Sequence, residues 1–187
     1  MFQGAKRQKT NPEKPISWAY FGTDDDVYEE FDWLKDHITD AWYNRYELSN
    51  FAKPGMSSIH NRVYRDFEAY LGIGIWAASL LLEPKVHRRT NTKDLNEYLK
   101  WNRIDKETAV NLTKKDILIE KFFLGLRTDI WLADITEFED VLVKDYQKKL
   151  KEYQKLWLLE QYKNFVILTD EGMDVFNTIV TNLLEEI

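Results

Sequence analysis

Apolar residues along this chain fall into stretches of helical spacing separated by shorter stretches that alternate or run continuously. Val27, Phe31, Leu34 and Ile38 recur at helical intervals, which predicts a helix with Asp24 as its N-cap. Asp24, Asp25 and Asp26 suit the positive end of that helix's dipole. A helix start explains them better than a calcium loop, whose ligands are spread around a central glycine and end in glutamate. From Trp42 to Leu48 the residues alternate, with Trp42, Tyr46 and Leu48 on one face and Arg45 and Glu47 on the other, so a strand is expected. Lys53-Pro54-Gly55 predicts a turn. Leu71 to Leu82 is a continuous apolar run broken only by glycine and Ser79, the pattern of a strand buried on both faces, with Gly72 and Gly74 on the same face. Two such glycines serve close packing or a bulge, or else let the backbone approach a ligand.

Beyond Lys85, Asn91 or Thr92 opens a short helix through about Trp101. Thr113-x-x-Asp116 resembles a capping box, with aspartate in the place of the usual glutamate or glutamine. The helix it starts carries Ile117, Leu118, Phe122 and Leu126 on one stripe, widened by Ile119 and Phe123. A further helix is expected from about Glu137 to Tyr153, with Phe138, Val141, Leu142 and Tyr146 inward and Lys148, Lys149 and Lys151 outward. Trp157 to Glu160 and Phe165 to Leu168 flank a polar turn centred on Lys163-Asn164, which predicts a β-hairpin. Thr169 caps a last helix striped by Phe176, Ile179, Val180, Leu183 and Ile187. Residues 1–23, with Pro12 and Pro15 and no sustained period, read as a loop.

Helix, helix, hairpin, helix over residues 110–187 is close to a winged-helix plan. The last helix carries acids and no lysine or arginine, which is wrong for phosphate contact. Lys148, Lys149, Lys151 and Lys155, interrupted by Glu152, read as a solvated face. The net charge of −6 also argues against non-specific nucleic-acid binding, which depends on neutralising phosphates. The 187 residues contain no cysteine. That excludes thiolate zinc sites, disulfides, cysteine nucleophiles and cysteine-held iron–sulfur clusters, and points to the cytoplasm. No apolar run approaches the roughly 20 residues that a bilayer span requires. The start, MFQGAKRQKTNPEKP, has no apolar stretch behind its basic residues and is not expected to be a signal peptide.

Chemistry concentrates between Tyr46 and Arg89. His60 follows the flexible Gly55-Met56-Ser57-Ser58 stretch, where an imidazole serves either as a capping or surface residue or as a metal ligand. Lys85, His87, Arg88 and Arg89 form a basic cluster suited to carboxylates, or else to a solvated loop. His37, near the end of the first helix, reads as a favourable C-terminal cation or a surface residue.

The run YELSNFAKPGMSSIHNRVYRDFEAYLGIGIWAAS, from Tyr46 to Ser79, resembles the oxygen-independent coproporphyrinogen III oxidase-like radical S-adenosylmethionine proteins, and within them the haem-chaperone, HemW-like branch. Tyr46 to Gly55 match that branch's YE-[IL]-SNFA-[RK]-PG stretch; His60, Asn61 and Tyr64 match its HNxxYW box; Tyr70, Leu71, Gly72, Gly74 and Ala77 or Ala78 approximate its YLGxGxxA. Arg88 or Arg89 with Asn91, and then Tyr98, look like its following R-x-x-N and tyrosine. Phe122 to Arg127 resemble the opening of its C-terminal domain, and Leu168-Thr169-x-x-Gly172 its end. Two departures stand out. Arg65 replaces the tryptophan of the box, and the C-x3-C-x2-C ligands of the family's [4Fe–4S] cluster have no counterpart.

The resemblance implies an α+β chain equivalent to the C-terminal half of such a protein. Residues 1–103 would form a partial radical-enzyme barrel, and 104–187 a mainly helical, winged-helix-like domain with a hairpin. It implies haem binding by His60 as iron ligand, with Asn61 setting its tautomer and Tyr64 stacking on the macrocycle or ligating as a phenolate. Gly72 and Gly74 would lie on the S-adenosylmethionine side, and Arg88 and Arg89 would face porphyrin propionates. Haem-accepting proteins are the implied partners. With no thiolates the chain is expected to perform no radical chemistry alone. The alternatives are one half of a split coproporphyrinogen-oxidising enzyme, with a cysteine-bearing half on another chain, or a degenerate interaction module.

Overall fold

The computed structural model describes residues 24–100, 109–130 and 134–185. The chain divides into two compact units, residues 1–41 and residues 42–187. In the first, α1 (Asp24–Asp40) covers the expected stripe and begins at Asp24, the residue expected as its N-cap. Phe31 and Ile38 are half-buried, but Leu34, expected on the same stripe, is exposed together with Trp33. His37 lies in the last turn, its Nδ1 2.8 Å from the Trp33 carbonyl and its ring 3.8 Å from the indole. The expected loop over 1–23 lies outside the described residues.

The second unit begins with an antiparallel hairpin, β1 (Asn44–Glu47) and β2 (Asn50–Ala52). The alternation over 42–48 therefore marks a real strand, but a shorter one. Trp42 has a φ of 67° and is exposed, off the expected inner face. Helix α2 (Ile59–Arg65) follows, capped by Ser58, whose Oγ accepts from the Asn61 N–H. Strands β3 (Ala78–Leu81), β4 (His87–Thr90) and β5 (Val110–Asn111) form an antiparallel sheet with β4 in the centre. Between β4 and β5 lies α3 (Leu95–Leu99), capped by Asp94. Its expected end at Trp101 and the expected division near residue 103 lie outside the described residues.

Helix α4 (Lys114–Gly125) starts at the predicted box: Thr113 Oγ1 accepts from the Asp116 N–H, and the Asp116 carboxylate accepts from the Thr113 N–H. Aspartate reaches back far enough to replace glutamate here. The helix expected over 137–153 is instead a 3-10 turn at Ile135–Phe138 followed by α5 (Tyr146–Lys155). The break has a tertiary cause. Val143 donates to the Leu183 carbonyl and Glu185 to that of Val141, both at 2.9 Å, so the segment leaves the helix to bridge the C-terminal residues. The hairpin β6 (Leu159–Tyr162) and β7 (Phe165–Leu168) is the predicted one, and its turn is pinned to the 3-10 segment by the Ile135 N–H, which donates to the Asn164 carbonyl. The last helix is also interrupted: α6 (Asp170–Asp174), capped by Thr169, gives way at Val175 to α7 (Phe176–Leu183).

The core is built from α4, α5, the β6–β7 hairpin and α7, with Phe122, Ile135, Leu150 and Ile179 fully enclosed. The residues preceding it are tied on by backbone as well as side chains. Leu48 donates to the Arg127 carbonyl at 3.1 Å and Asp129 to that of Tyr46 at 3.2 Å. Arg45 reaches Asp174, and Arg62 reaches Asp129, each at 2.8 Å. All three sheets are small and antiparallel; among the described residues there is no closed barrel, and no helix long and apolar enough to cross a membrane.

Candidate functional site

Of the strand expected over Leu71–Leu82, only the end forms, as β3; the part that carries the glycines does not. Residues 71–77 are irregular, and Ile73, expected to be buried, is 83 % exposed. Gly74 has a φ of +105° and Trp76 one of 63°, conformations that no strand accommodates. Side chains that the linear pattern scatters hold this loop in place. The Asn91 amide donates to the carbonyls of Gly72 (3.0 Å) and Gly74 (2.8 Å), the Gly72 N–H donates to Ser79 Oγ (3.0 Å), and the Gly74 N–H donates to Tyr98 Oη (2.8 Å). The GxG, the asparagine after the arginines and the following tyrosine thus assemble into one clasp. The N–H groups and carbonyls of both glycines are taken up inside the protein; close packing restricts Gly72, whereas Gly74 needs its positive φ and has open space where a Cβ would stand. A Cβ on Gly72 would lie 2.2 Å from the Ala78 carbonyl oxygen. Gly72→Ala is therefore expected to lower stability by about 1–3 kcal/mol, measurable by denaturant titration, because the obstruction is backbone and cannot swing aside.

On the neighbouring helix, His60 occupies the first turn of α2. It is exposed and has no hydrogen-bond partner among the described residues, and its ring meets Tyr64 edge-on at 4.6 Å. Tyr64 in turn meets Tyr70 at 4.3 Å. Met56 and Ile59, which precede His60, are 76 % and 81 % exposed. Asn61 does not set a tautomer at His60: its amide donates to Tyr46 Oη at 3.0 Å and braces α2 against β1.

Arg65, the departure from the family box, has its partner in Glu47, which the alternation puts on the strand face opposite Tyr46. Glu47 is only 2 % exposed. Arg65 Nε donates to its carboxylate at 2.6 Å, and the Asn50 amide donates to its other oxygen. Burial by itself would raise the Glu47 pKa, but Arg65, Asn50 and the nearby Arg127 together hold it below its ordinary value. The expected basic cluster is likewise engaged. Arg88 and Arg89 lie on β4, a strand that hydrophobic patterning could not announce because its residues are mostly polar. Arg88 makes a two-pronged pair with Glu120 on α4, at 2.9 and 2.7 Å, and Arg89 donates to Asn91.

Between α2, β3, β4 and α4 lies a cavity of about 180 Å³. Asn61, Tyr64, Arg65, Tyr70 and Arg88 supply its polar lining, over Phe67, Leu80 and Leu124. Of the predicted site residues, Asn61, Tyr64 and Arg88 meet there. His60, Gly72, Gly74 and Arg89 are not among its lining residues. Sequence reading missed Arg65, Tyr70 and Glu120 as site residues. Tyr70 stands at the head of the YLGxG motif, so a signal existed; Glu120 is one acid among many on a helix surface and had none.

Among the described residues, no three His, Cys, Asp or Glu side chains are grouped to hold a metal ion. The whole chain lacks the sulfur ligands of a [4Fe–4S] cluster, so its residues do not fit that group. A porphyrin ring exceeds a 180 Å³ cavity. An exposed imidazole flanked by exposed apolar side chains fits a porphyrin lying on the surface instead.

Over 175 residues the chain is 32 % identical to the heme chaperone HemW of Lactococcus lactis, a match that covers 85 % of this chain and 41 % of that protein. It is 26 % identical over 172 residues to the heme chaperone HemW of Escherichia coli, covering 87 % of this chain and 44 % of that one. The chain thus spans about two fifths of the length of these curated relatives. Among solved structures, the coproporphyrinogen III oxidase HemN of Escherichia coli, a radical SAM enzyme, superposes with a TM-score of 0.60 over 86 % of this chain and 41 % of that one. At 18 % identity that is a likeness of fold alone. No family model matches the chain.

Proposed function

Because this chain is related over most of its length to the HemW branch of the radical S-adenosylmethionine proteins, we propose that it is the haem-binding, partner-facing portion of a HemW-like protein and performs no radical chemistry by itself. In this reading it works in the cytoplasm, binds haem or a related porphyrin, and passes it to an accepting protein. The residues 104–187 form the family's winged-helix-like C-terminal domain. The observation that carries the reading is His60: an imidazole at the start of a helix, without a protein hydrogen bond, flanked by exposed Met56 and Ile59. Histidine is a common haem ligand, and apolar side chains left in water gain by covering a macrocycle. Tyr64, edge-on to His60, supports the imidazole from within the helix.

Haem titration should produce a Soret shift in the wild type that His60→Ala abolishes. Tyr64→Phe should keep the shift, because the ring contact survives without the hydroxyl; losing it there would make the phenolate the ligand. An undiminished shift in His60→Ala would reject the assigned iron ligand.

One observation favours a second reading, half of a split coproporphyrinogen-oxidising assembly. Leu71, Ile73, Ile75 and Trp76 are exposed in a row, an apolar surface suited to a further protein element. A cysteine-bearing partner chain would have to supply cluster and S-adenosylmethionine. Sedimentation of this chain mixed with such a partner separates the readings, since the haem-binding reading requires no complex.

A further inference from the structure

The two arginines that line the cavity beside α2 keep donors that their carboxylate partners do not use. Arg65 uses Nε on Glu47 and keeps both terminal nitrogens without a protein acceptor. Arg88 gives both terminal nitrogens to Glu120, and its Nε is buried with no partner. The terminal nitrogens of Arg65 and the Nε of Arg88 are thus guanidinium donors on cavity-lining residues that Glu47 and Glu120 leave unused. Among the described residues neither the Tyr64 nor the Tyr70 hydroxyl has a hydrogen-bond partner, and both tyrosines line the same cavity. Below them Phe67 and Leu80 make an apolar floor.

A buried donor without an acceptor is costly unless something else supplies one. The donor set, two arginines and two phenols around an apolar floor, matches a carboxylate borne on a short hydrocarbon arm. The volume agrees: about 180 Å³ is room for a short carboxylic acid and too little for a porphyrin. We infer that this cavity is a carboxylate-binding site, in which Arg65 and Arg88 hold the anion and the apolar floor takes its alkyl arm. The inference rests on the proposed haem function only for the carboxylate's source, a porphyrin propionate as against a free small acid. Arg65, which departs from the family box, becomes the anchor of the site, and Arg89, turned toward Asn91, takes no part in it.

The test uses the intact chain, with sodium propionate, haemin and haemin dimethyl ester as probes. Two variants report on the cavity. Glu47→Gln combined with Arg65→Gln removes a charge pair together, so that neither partner is left buried alone. Arg88→Gln leaves behind only Glu120, which retains contact with solvent. Propionate should raise the wild-type melting temperature above the effect of sodium chloride at equal ionic strength, and both variants should lose that excess. Haemin should bind about tenfold more tightly than its ester, in proportion to one charge-assisted contact, and the variants should bind the two alike.

A propionate effect with equal binding of haemin and ester assigns the site to a free acid. A propionate effect with no His60-dependent Soret shift defeats the haem function and leaves the carboxylate site standing. If propionate and chloride act alike, and the variants discriminate haemin from its ester as the wild type does, the inference is overturned.

Discussion

Arg65→Ala is expected to destabilise the chain by roughly 3 kcal/mol, at the lower end of what breaking a buried ion pair costs, because Arg65 itself keeps some contact with solvent. The penalty arises on the other side of the pair. Glu47 is enclosed, and without the guanidinium its carboxylate retains the Asn50 amide and the more distant Arg127. Urea denaturation of Arg65→Ala, Glu47→Gln and the Arg65→Ala/Glu47→Gln combination should show the double variant recovering much of the loss, as expected for partners that answer each other. Acid should act as a milder form of the same change. Glu47 is held below its unfolded value of 4.5, so its contribution is complete above that pH and is lost as the pH falls through the lower, folded-state value. The wild type should therefore lose stability below about 4.5 more steeply than the Glu47→Gln variant. Parallel acid profiles in the two would show that the pair contributes nothing.

Phe122→Ala is expected to cost about 3–5 kcal/mol and to be the most damaging single truncation of the second unit. Phe122 is fully buried in the middle of α4 and meets Phe138 at 5.4 Å. The 3-10 turn that carries Phe138 is in turn bonded to the hairpin's Asn164 carbonyl. The void would thus open where three elements converge, and none of them is free to collapse into it. Phe165→Ala at the exposed edge of the hairpin is the matched control and should change stability by less than about 1 kcal/mol. Equal losses at the two positions would contradict the assignment of the core.

Where an element rests on interactions within a few residues, its position was legible from sequence. The Thr113–Asp116 box, the Thr169 cap and the Lys163–Asn164 hairpin are all local. Each needs one side chain near one backbone group, or alternation across one turn. The misreadings share the opposite property. Leu71 to Leu82 has the composition of a buried strand, yet Asn91 and Tyr98 reach back across the sequence to hold Gly72 and Gly74 in a loop. The helix expected over 137–153 yields to pairing with Leu183 and Glu185. Strand β4 escaped notice because its side chains are polar, and only its neighbours on both sides make it a strand.

The same division runs through the site. Linear motifs singled out His60, Asn61, Tyr64, the glycines and the arginines, but could not say which of them meet. Alternation separated Glu47 from Tyr46 without saying which face is covered, and the fold buries both, Glu47 against Arg65. A substitution that weakened the resemblance when read along the chain acquires a partner in three dimensions. Sequence alone established the absence of thiolates, the kinship carried by the Tyr46–Ser79 run, and the elements whose bonds close within a turn. The tertiary structure alone decided which charges are buried together and which arginines share a cavity. Those outcomes depend on contacts between residues far apart in the chain, and neither periodicity nor spacing encodes them.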